Sequence, residues 1–508
     1  MLLMLDKQMR GRTGARRLLL VCVLAAAFGG LAAETQRAAG PATLVQLRAG
    51  APRSAARTLA AAGATLVVPT LRLWRLPSGR GAAALRALRA AGQFTFVERE
   101  HVYRVAAVTD EPLQSTEWWR AAVRVDGLTP PGPGVPLTIV DSGVFFGHQE
   151  FIGRPDFVAL NVQEPAPLGG RHGTEVASVA AAPANGIGLL GFYPTALFRS
   201  YDASLGDGTR LPSSDIAAGI AAAAAAGRTV INLSLGGNTV DAAIEAAVSQ
   251  AVRSGSLVVA ASGNSGLEGN VLSYPGASRH VLTVGATDQN DAVAPFSTQS
   301  PFVDLAAPGV DIPVATALDN SYGVGSGTSF ASPMVAAAAA WLWTVRPTLD
   351  ASQVAEILRR SARDIAAPGY DDGSGYGILD MTAALAAPTP IADPGEPNDT
   401  LATARTVTTR STPSGRASGR VAAFDDPRDF LRVWLPKGKR LTVTAAAGSS
   451  VSFVLENSAS ATLAQSTRSA AKTSFAYRNA GAARVAYVDV TPATGVRTSD
   501  YTLTLSVK

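Results

Sequence analysis

Between Pro136 and Trp343 short, mostly apolar runs alternate with alanine-rich stretches, and this alternation restricts the possible folds more than any other feature of the chain. The runs 137–140, 197–201, 230–234, 257–261 and 281–285 are the length of strands and lack an outward polar face, as strands covered on both sides do. Between them, 175–181, 216–226, 242–254 and 330–343 read as helices, because alanine is the best helix former and lets a helix sit close to a sheet. The fold class expected is α/β, a parallel sheet flanked by helices.

The flanking segments follow other patterns. Residues 42–105 read as strand, helix, two strands, helix and strand, a small α+β unit punctuated by Gly63, Pro77-Ser-Gly79 and Gly92. The proline-rich stretch 388–397 ends the helical alternation as a stiff linker. From 398 to 508 the period becomes two, with strands at 430–435, 441–444, 485–490 and 501–507, and an all-β sandwich is expected. A chain that is 47% hydrophobic and 16% charged is not a disordered one.

Charge and cysteine narrow the setting. Residues 1–110 hold Lys7 and fifteen Arg against five acids, and the remainder is net acidic. Arg10, Arg12, Arg16 and Arg17 precede an apolar run at 18–28 and small residues at 29–33, the pattern of a removable secretory signal over residues 1–33. Eleven apolar residues are too few for a bilayer, which needs ~20, so no transmembrane segment is expected. The basic excess falls mainly in segments expected to be removed, and nucleic acid is discounted as a partner. Arg16-Arg17 also allows a twin-arginine signal, and Cys22, the single cysteine, a lipid attachment that the preceding valine argues against. After removal of the signal the chain has no cysteine, which excludes disulfides and thiolate metal sites.

Four histidines limit the search for a general base: His101, His148, His172 and His280. His101 lies in the basic first unit, His148 follows a turn where a structural role is expected, and His280 enters an apolar strand. His172 stands on the glycine-flanked turn Gly170-Arg-His-Gly-Thr174 leading into a helix, from which it can project into a cleft. Asp141 ends a buried strand, where a carboxylate needs a donor. Ser329 lies in Gly325-Ser-Gly-Thr-Ser329-Phe-Ala-Ser-Pro333 at a helix start, whose N–H groups can hold an oxyanion. Asn264, after the strand Val258-Val-Ala-Ala-Ser-Gly263, offers an uncharged amide donor. Alone, each has a structural reading as a cap, packed ring or turn residue. Together they lie at strand ends or helix starts, on the sheet edge where α/β proteins place their sites.

In that combination the chain resembles the subtilisin family of serine proteases. The order Asp, His, Ser is carried by Asp141-Ser-Gly, His172-Gly-Thr and Gly327-Thr-Ser329-Phe-Ala-Ser-Pro333, with Asn185-Gly-Ile-Gly-Leu-Leu-Gly191, Asn232-Leu-Ser-Leu-Gly-Gly237 and Ala306-Ala-Pro-Gly309 adding to it. The resemblance spans 118–387. It implies Ser329 as nucleophile, His172 as general base and acid, Asp141 as the group fixing the imidazole, and an oxyanion hole from the Asn264 amide and the Ser329 N–H. Substrate would pair as a strand along Ser234, Leu235, Gly236 and Gly237. Ala260, Ala261, Ser262, Gly263 and Ser273 would line the pocket for the residue before the cut, uncharged and therefore suited to a neutral side chain.

The resemblance further implies a secreted, monomeric endopeptidase acting on proteins or peptides, made as a self-processing zymogen. Residues 42–105 resemble the family's propeptide, an intramolecular inhibitor, with maturation expected between Val105 and Trp118. Residues 396–508, opening with Glu396-Pro-Asn-Asp-Thr400 and including Asp426-Pro-Arg-Asp-Phe430, resemble the bacterial pre-peptidase C-terminal domain. No cofactor is required for catalysis by this reading. Structural calcium is a possible addition at Asp371-Asp-Gly or Asp425-Asp-Pro-Arg-Asp429, although such acids also form solvated turns. The chain departs from the family pattern at Glu175, where a second histidine is usual, and at Phe330, where methionine is common. A silent binding module and an esterase are the rival classes. The catalytic groups are all present, against the first, and Gly327-Thr-Ser-Phe-Ala331 is not the esterase elbow, against the second.

Overall fold

The computed structural model describes residues 42–100, 111–163, 171–204, 210–316, 320–469 and 472–508. The expected signal segment, His101, Gly170 and residues 105–110 of the expected maturation stretch lie outside them. The chain forms two compact units, 1–107 and 108–508.

In the first unit, β1 (Thr43–Leu47), α1 (Arg53–Ala61), β2 (Thr65–Val68), β3 (Leu73–Leu76), α2 (Ala82–Ala90) and β4 (Phe94–Arg99) follow one another. The strands pair antiparallel in the order β2-β3-β1-β4. Val45, Leu47, Leu59, Leu76 and Leu88 form its core. Pro69, with no N–H to donate, opens a short 3₁₀ turn that separates β2 from β3.

The second unit holds α3 (Trp119–Ala122), then β5 (Leu137–Asp141), β6 (Phe157–Ala159), α4 (Arg171–Ala181), β7 (Phe198–Asp202), α5 (Ser213–Ala225), β8 (Val230–Leu233), α6 (Ala242–Arg253), β9 (Leu257–Ala261), β10 (Val281–Thr287) and β11 (Leu305–Pro308). A hairpin of β12 (Ile312–Ala315) and β13 (Tyr322–Gly325) precedes α7 (Thr328–Val345), α8 (Ala351–Ser361) and α9 (Met381–Ala386). Seven strands pair in parallel in the order β11-β10-β9-β8-β5-β7-β6. This is the α/β class expected, with β6, β11, the hairpin, α8 and α9 added.

Each face of the sheet has its own core. Val140, Ile231, Leu233, Val258 and Ala260 meet α5 and α6 on one face. Val230, Leu257, Val259, Leu282 and Val284 meet α7 on the other, where Ala336–Ala340 are wholly buried. The chain runs from β5 to the edge strand β6, returns to β7 beside β5, then crosses to β8 on the other side of β5. That reversal puts the carboxyl ends of β5 and β8 beside the crevice where α/β folds take ligands.

Past the linker, two five-stranded sheets share one core that includes Leu431, Val433, Val488, Leu441, Val443, Leu503 and Leu505. The sandwich belongs to the same compact unit as the parallel sheet. Between them, the buried Arg359 of α8 donates to Asp304 Oδ1 and to Asp425 Oδ2, each at 2.7 Å, and Arg360 donates to Asp500 at 2.7 Å. Among the described residues no helix is long and apolar enough to cross a membrane.

Candidate active site

Asp141 is the last residue of β5 and is 2% exposed. Its Oδ1 accepts the N–H of Ser142 at 2.7 Å and Nδ1–H of His172 at 2.8 Å, while Oδ2 is buried without a partner. A carboxylate placed there fixes the ring's tautomer and leaves Nε2 as the basic nitrogen. His172 sits in the first turn of α4. The helix approaches the Asp141 turn closely enough that a Cβ on Gly173 would lie 2.2 Å from the Gly143 carbonyl oxygen. Burial lowers the pKa of His172, but the charge and hydrogen bond of Asp141 and the charge of Glu175 outweigh it and hold the imidazole above its usual range.

Ser329 is the second residue of α7, half-buried, with its ring-bearing neighbour Phe330 centred 6.2 Å from the His172 ring. A chain of buried polar groups pins this helix end to β8. Ser332 Oγ donates to Asn232 Oδ1 at 2.7 Å, Asn232 Nδ2 to Ser234 Oγ at 2.9 Å, and Ser234 Oγ to the Ser329 carbonyl at 2.7 Å. The Ser329 hydroxyl itself rests on the Ser234 carbonyl at 3.3 Å. Catalytic hydrogen bonds often tighten only once substrate is bound.

Asn264 follows β9. Its Oδ1 accepts the Thr328 N–H at 2.9 Å and the Thr328 hydroxyl at 3.0 Å. That assignment of the amide turns Nδ2 away from Thr328, and Nδ2 would lie 3.3 Å from a Cβ on Gly327. Ser329 stands in the first turn of α7, where N–H groups have no partner within the helix.

The expected cleft residues fall into two sets. Ser273 lies between two glycines: a Cβ on Gly236 would meet its Oγ at 2.1 Å, and one on Gly263 its Cβ at 2.6 Å. Ser234, Leu235, Gly236, Gly263 and Ser273 are thus brought together, with Ala261 and Ser262 buried at the end of β9 behind them. Two residues do not serve as expected. Ala260 points to the opposite face, wholly buried with Val140 and Val258, because side chains alternate along a strand. Gly237 gives its N–H to Tyr274 at 2.9 Å and accepts the Tyr274 N–H at 2.7 Å, so its backbone is already paired.

Asn232, Ser332 and Thr328, which the motifs contain without a stated role, hold the Ser329 helix end and the Asn264 amide in place. A signal existed for the first: Asn232 and Ser234 are polar at alternate positions of a buried strand, facing α7. Of the other histidines, His148 is a buried structural ring, accepting the Glu150 N–H on Nδ1 and donating from Nε2 to the Ser321 carbonyl at 3.2 Å. His280 has a left-handed backbone and donates from Nε2 to Asp399 at 2.8 Å.

Comparison with known proteins bears on this geometry. The subtilase family model matches residues 132–377. Over 259 residues the chain is 38% identical to subtilisin DY of Bacillus licheniformis, covering 50% of this chain and 91% of that protein. Over 276 residues it is 37% identical to subtilisin BL of Lederbergia lenta, covering 53% and 99%. Among solved structures, fervidolysin from Fervidobacterium pennivorans, a keratinolytic enzyme related to subtilisin, shares the fold with a TM-score of 0.51 at 18% identity, covering 91% of this chain and 92% of that one. With a family match over the parallel-sheet domain and nearly the full length of two subtilisins aligned to it, this chain belongs to the subtilase family and is a serine endopeptidase.

Proposed function

We propose that the chain is an exported protease precursor that hydrolyses peptide bonds through Ser329, His172 and Asp141. The observation that carries the reading is the 2.8 Å bond from His172 Nδ1 to Asp141, beside a serine helix pinned by Ser332, Asn232 and Ser234. In the proposed cycle Ser329 Oγ attacks the scissile carbonyl carbon as its proton passes to His172 Nε2. Asp141 stabilises the imidazolium without taking the proton. The oxyanion that forms accepts hydrogen bonds from Asn264 Nδ2 and the Ser329 N–H. His172 then gives its proton to the leaving amine, and an acyl-enzyme ester remains on Ser329. Water attacks that ester with His172 again as base, releasing the acid and restoring the hydroxyl.

Substrate lies extended along Ser234, Leu235 and Gly236, with the residue before the cut entering a neutral pocket beside Gly263 and Ser273. Residues 1–33 direct export, 42–105 act as a propeptide that restrains the enzyme until cut away, and 398–508 form an accessory domain. The enzyme works as a monomer, and calcium, where bound, is structural: the cycle above uses only the chain's own groups.

Labelling with a peptidyl fluorophosphonate tests the catalytic part of this reading. The expected adduct maps to Ser329 and is lost in His172→Ala. An adduct on another residue, or none in a folded and processed chain, overturns it.

A further inference from the structure

The strands of the seven-stranded sheet run in one direction, so its two edges differ. Asp141, Ser234 and Asn264 lie at or just past the carboxyl ends of β5, β8 and β9, whereas His280 and Asp304 stand immediately before β10 and β11, at the amino ends. The sandwich meets this second edge. His280 gives its main-chain N–H to the Asp425 carbonyl at 3.1 Å, and Asp304 reaches the Asp425 carboxylate through Arg359. The seven residues of β10 put roughly 20 Å of strand between that edge and the catalytic one.

Charges alternate across the contact and are withdrawn from water. Asp304, Glu356 and Arg359 of the peptidase side are all buried. Arg359 is shared between Asp304 of its own domain and Asp425 of the sandwich, and Glu356 pairs with Arg420 of the sandwich. Burial raises the pKa of Asp425, but the charges of Arg359, Arg420 and His280 outweigh it and hold the carboxyl below its usual range. Removing one member of such a set leaves a buried charge without its partner, which is strongly destabilising. An aromatic patch lies alongside. Arg497 of the sandwich stacks on Tyr370 with its Cζ 3.2 Å from the ring centre and donates to the Pro301 carbonyl, while Phe424 packs edge-on against Phe302 at 6.0 Å.

The linker is fastened to the same side. Arg346, at the end of α7, donates to the Ala387 carbonyl at 2.8 Å and to the Thr389 hydroxyl at 2.6 Å. Gln353 of α8 donates from Nε2 to the Pro390 carbonyl at 2.9 Å. Backbone held in this way resists proteolytic nicking, which concentrates where backbone is exposed and unbonded. The linker also keeps the two domains at a high effective concentration, so the contact forms within one molecule.

We propose that the amino-terminal edge of the parallel sheet is a docking surface for the sandwich of the same chain, and that residues 398–508 therefore stay in the mature enzyme as a fixed structural partner. The proposal rests on the reading of 398–508 as an accessory domain and not on the catalytic assignment. Because the docked domain sits at the edge opposite the cleft, retaining it leaves substrate access unchanged.

The test uses the full-length Ser329→Ala chain with a thrombin recognition sequence inserted after the exposed Ile391. Once a denaturing gel shows complete cutting, the two fragments are expected to elute together in gel filtration. Elution as separate species overturns the docking without need of any further variant. Asp425→Asn with Arg497→Ala changes two side chains outside the sandwich core, each of which makes a charged hydrogen bond across the contact. Together they should weaken association of the cut fragments by about a hundredfold or more. Fragments that hold together equally well in that variant overturn the assigned contacts. Neither measurement involves turnover, so this proposal and the catalytic reading can fail separately. In the exported wild type, intact mass after loss of the propeptide should still run to Lys508, and a stable active form ending within 388–397 overturns the retention.

Discussion

Replacing Gly173 by alanine separates catalytic geometry from fold stability. Gly173 has an ordinary helical backbone, so alanine meets no conformational barrier and adds about 1 kcal/mol of helix propensity. Its Cβ, however, would lie 2.2 Å from the Gly143 carbonyl oxygen, whereas ordinary contact begins near 3.4 Å. The obstacle is backbone, so the start of α4 and the turn after Asp141 must part by roughly 1.2 Å, at an overpacking cost of about 1–3 kcal/mol. Propensity offsets part of that, and the melting temperature should fall only a little. The triad has no such compensation. His172 precedes Gly173 and Asp141 lies two residues before Gly143, so the separation is taken up largely in their 2.8 Å hydrogen bond. Misplacement of about 1 Å costs on the order of 10²-fold in rate. We therefore expect kcat/KM on a peptide nitroanilide to drop about a hundredfold. With Asp141 withdrawn, the His172 pKa should also fall, as read by NMR in the Ser329→Ala background. A Gly173→Ala enzyme within threefold of the parent, with an unmoved His172 titration, refutes the reasoning.

Three further outcomes follow from other parts of the site. Asn264→Ala removes the proposed oxyanion donor and should lower kcat by about 10²–10³, the range already known for such a donor in subtilisin, with KM little changed; a loss confined to KM contradicts the assignment. Glu175→Gln removes a negative charge that favours the imidazolium, so the acid limb of kcat/KM should move to lower pH, and a limb that stays or moves up contradicts it. Glu117, pushed up to about 8 by burial against the attraction of Arg120, binds its proton more tightly folded than unfolded. Its contribution to stability is full below the unfolded value of 4.5 and is lost as pH rises through about 8. Urea denaturation of Ser329→Ala across pH 5–9 should show less of this alkaline loss in Glu117→Gln, and an equal loss in both contradicts it.

The fold was legible because its signals are local. Mostly apolar runs of strand length separated by alanine-rich stretches declare a parallel sheet, and the residues at the strand ends and helix starts mark the candidate site. What escaped the sequence depends on direction or distance. Ala260 and Ala261 are equivalent as letters, and only the alternation of side chains along β9 sends the first into the core. Gly237 looked free to receive substrate until the fold brought Tyr274 beside it. The pairing of Asn232 with Ser332 joins a strand to a helix across 100 residues. His280 and Asp399 stand 119 residues apart, and neither announces the other. The acids at 425–429 read equally as a solvated turn, and only the fold shows Asp429 buried beside Asp393 and Glu396.

The central claim is that Ser329 is the nucleophile of a precursor that matures itself. Intact mass and N-terminal sequence of the exported wild-type chain, beside Ser329→Ala from a host lacking other extracellular proteases, test it most directly. The account predicts a wild type beginning between Val105 and Trp118 and a variant that retains residues 42–105. Identical termini on the two proteins would contradict it.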